Sequence, residues 1–148
     1  MNLQNQITGS VEIIFPNNDK FEGILENGFI KEGTVDVTLP NGDKYKGHVS
    51  KGNMDGYGQY VYKNGDVFLG MFVNGKKCGV GKYIFRDETT LECEFVNDQR
   101  NGRAEYTYKN GDILQAEYEN DRLVRKVQYI YKNGTTINYK DYKMIIEQ

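Results

Sequence analysis

The sequence predicts an all-β protein: an elongated, single-layer antiparallel β-sheet built from tandem hairpin repeats of 23 residues. One observation is an Asn-Gly pair that recurs at this interval, at positions 41, 64, 110 and 133, while Asp87-Glu88 occupies the remaining slot of the series. A second observation is that apolar and aromatic residues alternate with polar ones between these pairs. A period of two, rich in aromatic and β-branched residues, is typical of strands.

The repeat units follow one another along most of the chain. A half unit runs from Gly9 to Phe15, and the first full unit, 17–40, carries one extra residue near Phe29 to Lys31. Later units begin at 41, 64, 87 and 110, and a less regular one begins at 133. Each full unit supplies two short strands, so we expect about a dozen antiparallel strands.

The predicted boundaries leave short segments at both ends. Residues 1–8 form an N-terminal tail, 9–140 form the repeat domain of about six units, and 141–148 form a C-terminal cap or tail. In that last segment Met144-Ile145-Ile146 would be a covering segment, either a strand or a short helical turn, and both alternatives stay open.

Two kinds of turn connect the predicted strands. A three-residue loop, Lys63-Asn64-Gly65, places Tyr60 and Phe68 on the same face, with Gly65 in the left-handed conformation that closes such a loop. The other turn, roughly Lys51 to Met54, needs an even number of loop residues, so that inward-facing residues of the two strands lie on the same face of the sheet.

With these turns, two rows of residues run across the inner face of the sheet. We expect aromatic rings to lie over the glycines, or alternatively a partner's backbone to approach them. The first row is Phe21, Val37, Tyr45, Tyr60, Phe68, Tyr83, Leu91, Tyr106, Leu114, Tyr129 and Ile137. The second row is Gly23, Val35, Gly47, Gly58, Gly70, Gly81, Cys93, Ala104, Ala116, Val127 and Tyr139. The candidate inner groove for a protein partner consists of Tyr45, Gly47, Gly58, Tyr60, Phe68, Gly70, Gly81 and Tyr83.

The outer face carries a second candidate binding surface. Most units have polar residues there, but the unit that begins at Asn64 is apolar, and Tyr57 and Val61 lie one strand away. An exposed patch of this kind usually marks an interaction site. The alternatives are a local drift in composition and a fold-back of the chain's own ends. We call these residues the outer patch: Val67, Leu69, Met71, Val73, Val80 and Ile84.

The sequence gives little support for catalysis, and we predict no catalytic, cofactor-binding or metal-binding residues. His48 is the only histidine, and its column faces outward. Cys78, expected in a turn, and Cys93, expected on the inner face, have no histidine in the same or adjacent turn. The aspartates at 43, 66 and 112 are at least two strands, or about 10 Å, apart in the predicted sheet, too far to share an ion.

Composition narrows the classes of partner. The net charge is −2 and no basic block occurs, which argues against nucleic acid and weakens the case for an anionic membrane. No apolar stretch approaches the roughly 18 residues that span a bilayer, and no signal peptide is evident. The two cysteines are expected to be reduced thiols in an intracellular protein.

The pattern Tyr-Lys-Gly-(x)4-Gly-(x)3-Gly-Tyr-Gly-(x)-Tyr resembles the MORN repeat, the membrane occupation and recognition nexus motif. Tyr45 to Tyr62 and Phe68 to Phe85 match it best, and the resemblance extends over about residues 9–140. It departs from the motif where Cys93, Ala116 and Tyr139 replace the strand glycine, and where Arg125 replaces the glycine before the second strand.

The resemblance implies a twisted, single-layer sheet with a grooved face. It also implies a role in protein assembly, often on cytoskeletal or ciliary structures and in some members at membranes. We therefore expect a non-enzymatic scaffold subunit of a cytoplasmic complex, cytoskeletal or ciliary and axonemal, which binds an extended peptide or a helix on a face of the sheet. The alternatives are a membrane-recruitment module that binds acidic phospholipid, and a targeting module whose enzyme lies on another chain.

Overall fold

The structure is a computed structural model that describes residues 7–139, and these residues form strands and turns without any helix. The chain divides into two compact units between Lys76 and Lys77. The first unit contains β1 (Gly9–Ile14), β2 (Lys20–Glu26), β3 (Phe29–Thr38), β4 (Lys44–Ser50), β5 (Asn53–Val61) and β6 (Val67–Val73). From Lys77 onward, the second contains β7 (Lys76–Ile84), β8 (Thr90–Val96), β9 (Gln99–Thr107), β10 (Ile113–Glu119), β11 (Arg122–Ile130) and β12 (Thr136–Asn138).

Within each unit every strand pairs with the next strand in the sequence, and every pair is antiparallel. The predicted fold class, an all-β antiparallel sheet of tandem hairpins, is confirmed. The extra residue expected near Phe29 to Lys31 is also found, because Lys31 is bulged between the pairs Ile24–Glu32 and Leu25–Ile30. The predicted covering segment at 144–146 lies outside the described residues.

Three-residue loops close the hairpins at the Asn-Gly pairs of the 23-residue series (41, 64, 110 and 133), as predicted. At Lys63-Asn64-Gly65, the Tyr62 N–H donates to the Asp66 carbonyl at 2.8 Å and the Gly65 N–H donates to the Tyr62 carbonyl at 2.8 Å. Gly65 has a φ of 97°, which glycine adopts without steric cost. The same loop position has positive φ in each 23-residue repeat, at Asn18, Gly42, Gly65, Glu88, Gly111 and Gly134.

Glu88 is the least suitable residue in this series, since its φ of 68° lies in the left-handed region. A side chain there costs about 1–2 kcal/mol, whereas glycine loses roughly 0.5–1 kcal/mol of backbone entropy on folding. We expect Glu88→Gly to raise the free energy of unfolding by about 0.5–1 kcal/mol, measured by urea denaturation. Glu88→Ala is the control, because it removes the exposed ion pair with Lys109 (3.4 Å) but keeps the strain. An equal gain in both variants would contradict this explanation.

The second kind of turn is a two-residue loop, so the predicted even number is confirmed and the loop is shorter than Lys51 to Met54. Ser50 pairs with Asn53, and between them Lys51 and Gly52 have φ values of 50° and 81°. Positive φ at both loop residues is the type I′ geometry, which matches the twist of the flanking strands. Asn27-Gly28, Asn74-Gly75, Asn97-Asp98 and Asn120-Asp121 repeat it.

The predicted rows are correct over most of both units and wrong at two places. Phe21 was expected beside Val37, and Gly23 beside Val35; instead Phe21 pairs with Val35 and Gly23 pairs with Gly33. The β2–β3 hairpin contains a single bulged residue, fewer than the predicted pairing requires. The Phe21 ring consequently lies against Gly33, where an added Cβ would be 2.9 Å from it.

The second error concerns β10 and β11. Ala116 was expected beside Val127 but pairs with Lys126, and Val127 is bulged. In the earlier β4–β5 and β8–β9 hairpins the register shifts in one step, at a glycine with a φ above 100°, Gly56 or Gly102. Arg125 occupies the corresponding position in β11, and there the shift is divided between two places, because an L-residue rarely adopts that φ.

The core lies on the inner face, as the period of two predicts. In the first unit Tyr45, Phe68 and Phe72 are fully buried, and the Phe72 ring packs edge-on against the other two with 5.5 Å between centroids. In the second unit Leu91, Cys93, Phe95, Ala104 and Ala116 are buried. Aromatic edge-to-face packing adds stability beyond that of the buried area.

Candidate functional site

Residues of the outer patch lie on the face opposite the core, as predicted. Along β6 the inner residues Phe68, Gly70 and Phe72 are buried, whereas Val67 and Leu69 are half-buried and Met71 and Val73 are exposed, Met71 at 44%. On β7, in the second unit, Val80 is 73% exposed and Ile84 is half-buried. The structure therefore leaves four of the six side chains on β6 and two on β7, all on outward-facing positions.

The apolar surface of the first unit extends beyond β6. Tyr57 pairs with Met71, and Val61 pairs with Val67; Tyr57 is exposed and Val61 is half-buried. Side chains directly opposite each other on antiparallel strands lie close enough to form one surface. These residues on β5 and β6 thus form a continuous apolar area within one unit.

A shallow groove of about 610 Å³ crosses the outer face of the first unit. Each of the six strands contributes at least one lining residue, from Glu12 on β1 to Leu69 on β6. Its apolar end is formed by Tyr57 and Leu69, and much of the remainder is charged or polar, including Lys20, Glu22, Asp36, Lys46 and His48. Sequence analysis missed this groove because its lining residues come from six different strands.

The second unit has its own outer groove, of about 510 Å³, which is richer in carboxylates. Glu92, Glu94, Glu105 and Glu117 line it together with Arg103. Two of these acids have cationic partners: Lys82 lies 3.5 Å from Glu92, and Arg125 donates two hydrogen bonds of 2.8 Å to Glu117. The hydrogen bonds from Arg125 hold the pKa of Glu117 below its ordinary value.

The candidate inner groove is occupied in large part by the chain's own side chains. Tyr45 is 2% exposed and Phe68 is 0% exposed; Gly58, Gly70 and Gly81 are buried, and Gly47, Tyr60 and Tyr83 are half-buried. A Cβ on Gly58 would lie 2.5 Å from the Tyr45 hydroxyl oxygen, which donates to the His48 carbonyl at 2.7 Å. A partner backbone over Gly58 would have to displace that ring.

The aspartates that follow the three-residue loops bind neighbouring hairpins together. Asp43 accepts a hydrogen bond from the Tyr60 hydroxyl at 2.6 Å and another from the Lys63 N–H at 2.8 Å. Asp112 repeats this with Tyr129 and Lys132, both at 2.8 Å. Hydrogen bonds to the ionised carboxylates lower the pKa values of both aspartates, those from Tyr60 and Lys132 contributing most. The recurring sequence signal is an Asp followed 17 residues later by a Tyr.

A column of cations lies over tyrosine rings in the second unit, at positions 23 residues apart. The Lys77 ammonium is 5.7 Å from the Tyr83 ring centroid, and the Arg100 guanidinium is 4.3 Å from that of Tyr118. Arg100 also donates to Asp121 at 2.7 Å. These contacts stabilise the ends of the strands, and sequence analysis did not single them out.

Of the three reactive side chains, His48 and Cys78 are exposed and Cys93 is buried. His48 is exposed on β4, on the outer face as expected. Cys78 lies within β7, not in a turn as predicted, because the preceding two-residue turn ends at Gly75. Cys93 is buried on the inner face as predicted, and burial raises the pKa of its thiol.

Across the described residues 7–139, no three His, Cys, Asp or Glu side chains are grouped so that they could hold a metal ion. The same range contains no helix that could cross a bilayer.

Comparison with known proteins identifies the repeats. The MORN repeat model matches residues 45–67, 68–90 and 94–113. The TCP domain of SAS-4 (dCPAP) from Drosophila melanogaster, solved in complex with a proline-rich motif of Ana2 (dSTIL), is similar with a TM-score of 0.49 and 14% sequence identity, over 87% of this chain and 76% of that chain. No curated protein matches the sequence. Residues 45–113 thus match three consecutive MORN repeats.

Proposed function

We propose that this protein is a non-enzymatic scaffold that binds other proteins through its outer face. The observation that carries the proposal is the apolar surface of β5 and β6, where Tyr57 and Met71 are exposed while the aromatic residues of the opposite face form the core. Exposed apolar side chains gathered on one face usually mark a site of protein association. Met71 suits an adaptable contact, because its side chain is flexible and polarizable.

The geometry of the first unit indicates the kind of segment that would bind. The outer groove crosses six strands, from Glu12 to Leu69, and neighbouring strands are about 4.8 Å apart, so the groove extends roughly 24 Å. A helix of about 16 residues has that length. A partner helix, or a shorter extended peptide, would place its apolar side chains near Leu69 and its charged ones along the rest of the groove.

The proposed setting is a large cytoplasmic assembly, cytoskeletal or ciliary and axonemal. This part of the proposal is supported by the MORN repeats alone, because such repeats occur in proteins that organise these structures.

The double change Leu69→Lys and Met71→Glu tests the binding surface. Both side chains point away from the core, so we expect the variant to keep its fold and to lose the proteins that co-purify with the wild type, as measured by affinity purification and mass spectrometry. The matched control is Glu88→Lys with Lys109→Glu, which exchanges the charges of an exposed ion pair. Retention of every native partner by the folded patch variant would refute the proposal, and unfolding would refute the face assignment.

Co-sedimentation with liposomes that contain acidic phospholipid separates the scaffold from a membrane-recruitment module. The scaffold predicts that the protein stays in the supernatant, whereas lipid recognition requires pelleting that weakens as salt is added. Salt-sensitive pelleting that survives the patch substitutions would favour the membrane module.

A further inference from the structure

The first strand has one edge that no other described strand pairs with. β1 pairs with β2 on its other side. The Phe15 N–H donates to Asp19 on the β2 side, and backbone groups alternate between the two edges of an antiparallel strand. Val11 and Ile13 therefore direct their N–H and C=O groups toward β2, and Ser10, Glu12 and Ile14 direct theirs toward the open edge.

This edge has few of the features that normally prevent strand pairing. Proteins protect open edges with short strands, prolines, lysines or bulges. β1 has six residues in unbroken register with β2, without proline or lysine, and Glu12 is its one charged residue. Ile14 is 61% exposed, and the flanking Ile7 and Phe15 are also exposed. β12, in contrast, has three residues.

We infer that this edge pairs with a second copy of the chain, antiparallel, about a two-fold axis at Val11. In that register Ser10 of each copy lies opposite Glu12 of the other, and both residues offer an N–H and a C=O to the edge. The inner faces of the two copies then lie on the same side, and Ile7 of each comes opposite Phe15 of the other. The self-complementary interface would join the two sheets through four hydrogen bonds from these two residues alone.

Two neighbouring symmetric registers are less favourable. An axis at Glu12 would place the two Glu12 carboxylates directly opposite each other, and like charges in that position are destabilising. Within the monomer Glu12 already lies opposite Glu22, which adds to that repulsion. An axis at Ile13 would place Ser10 opposite Pro16, which has no N–H to donate.

The mass of the full chain in solution tests the pairing. Sedimentation equilibrium over roughly 10 µM to 1 mM should show a mass that rises from 17.0 kDa toward twice that value. A wild-type chain that stays monomeric throughout this range overturns the proposal.

A pair of proline substitutions tests which edge is used. Glu12→Pro removes an N–H that faces the open edge, where proline is tolerated, so the chain should stay folded and become monomeric. Ile13→Pro removes an N–H that bonds to β2, so it should lower the melting temperature. If Glu12→Pro folds and still dimerises like the wild type, the interface lies elsewhere.

Charge changes at Ser10 test the register and remain informative if the prolines disturb the strand. Ser10→Lys places an ammonium opposite Glu12 of the partner copy and should tighten the dimer roughly 2- to 30-fold across the two symmetric contacts. Ser10→Glu should weaken it by a similar factor. Equal dissociation constants for the two variants would overturn pairing about Val11.

Discussion

Phe68→Ala is expected to lower the free energy of unfolding by about 3–5 kcal/mol, the usual cost of truncating a buried aromatic residue. Phe68 is 0% exposed, and its ring packs on that of Phe72. Among the described residues of the first unit, four of the seven buried apolar side chains are aromatic, so the loss of one ring removes a large part of that core.

Met71→Ala is the matched control, because Met71 lies on the same strand and on the opposite face. Its side chain is exposed, and surface changes of this kind usually alter stability by less than about 0.5 kcal/mol. Urea denaturation of the two variants measures the difference. Similar losses in both would mean that the inner and outer faces have been assigned wrongly.

Gly58→Val is expected to lower the free energy of unfolding by about 1–3 kcal/mol, as overpacking does in a filled core. The added Cβ would lie 2.7 Å from Cζ of the Tyr45 ring. That ring cannot move aside easily, because it is buried, packs on Phe72 and donates a hydrogen bond to the His48 carbonyl.

Gln59→Val is the control for strand propensity. Gln59 follows Gly58 on β5 and is exposed on the outer face, where a β-branched residue suits a strand. We expect little change in its melting temperature. If Gly58→Val melted at the same temperature as Gln59→Val, the Tyr45 ring would not occupy the space above Gly58.

The sequence predicts much of this fold because its signals are local. The third residue of each recurring loop adopts positive φ, even where it is Glu88, and this conformation sets the three-residue loop. Loop length then determines which side chains share a face, and the resulting pairs of Tyr60 with Phe68 and of Gly58 with Gly70 are found. The loop conformation and the loop length together determine which side chains of β6 face the core and which face outward.

Other features depend on bulges and on contacts between several strands, which the sequence alone does not reveal. The register of β2 and β3 depends on how many residues are bulged, and Lys31 alone is bulged there. Val127 is bulged because Arg125 replaces a glycine, a departure that the sequence shows without its structural result. Each outer groove is lined by residues from several strands, so no single motif encodes it.

Composition, and not chemistry, indicates the candidate site. Leu69 and Met71 are apolar where the corresponding outer positions of other repeats are polar, and the structure leaves their side chains on the outer face. The candidate inner groove followed from the glycine row, but Tyr45 already fills the space above Gly58. The face that remains accessible to a partner is therefore the outer face, opposite the core.

Site-specific photo-crosslinking in cells tests most directly whether the outer face binds protein. A photoreactive amino acid at position 71 should form adducts with one or a few proteins, and the same group at position 109, in an exposed loop, should not. The adducts at 71 should disappear when Leu69→Lys is added. Equal labelling at both positions, or adducts at 71 that contain lipid and no protein, would contradict the proposed scaffold.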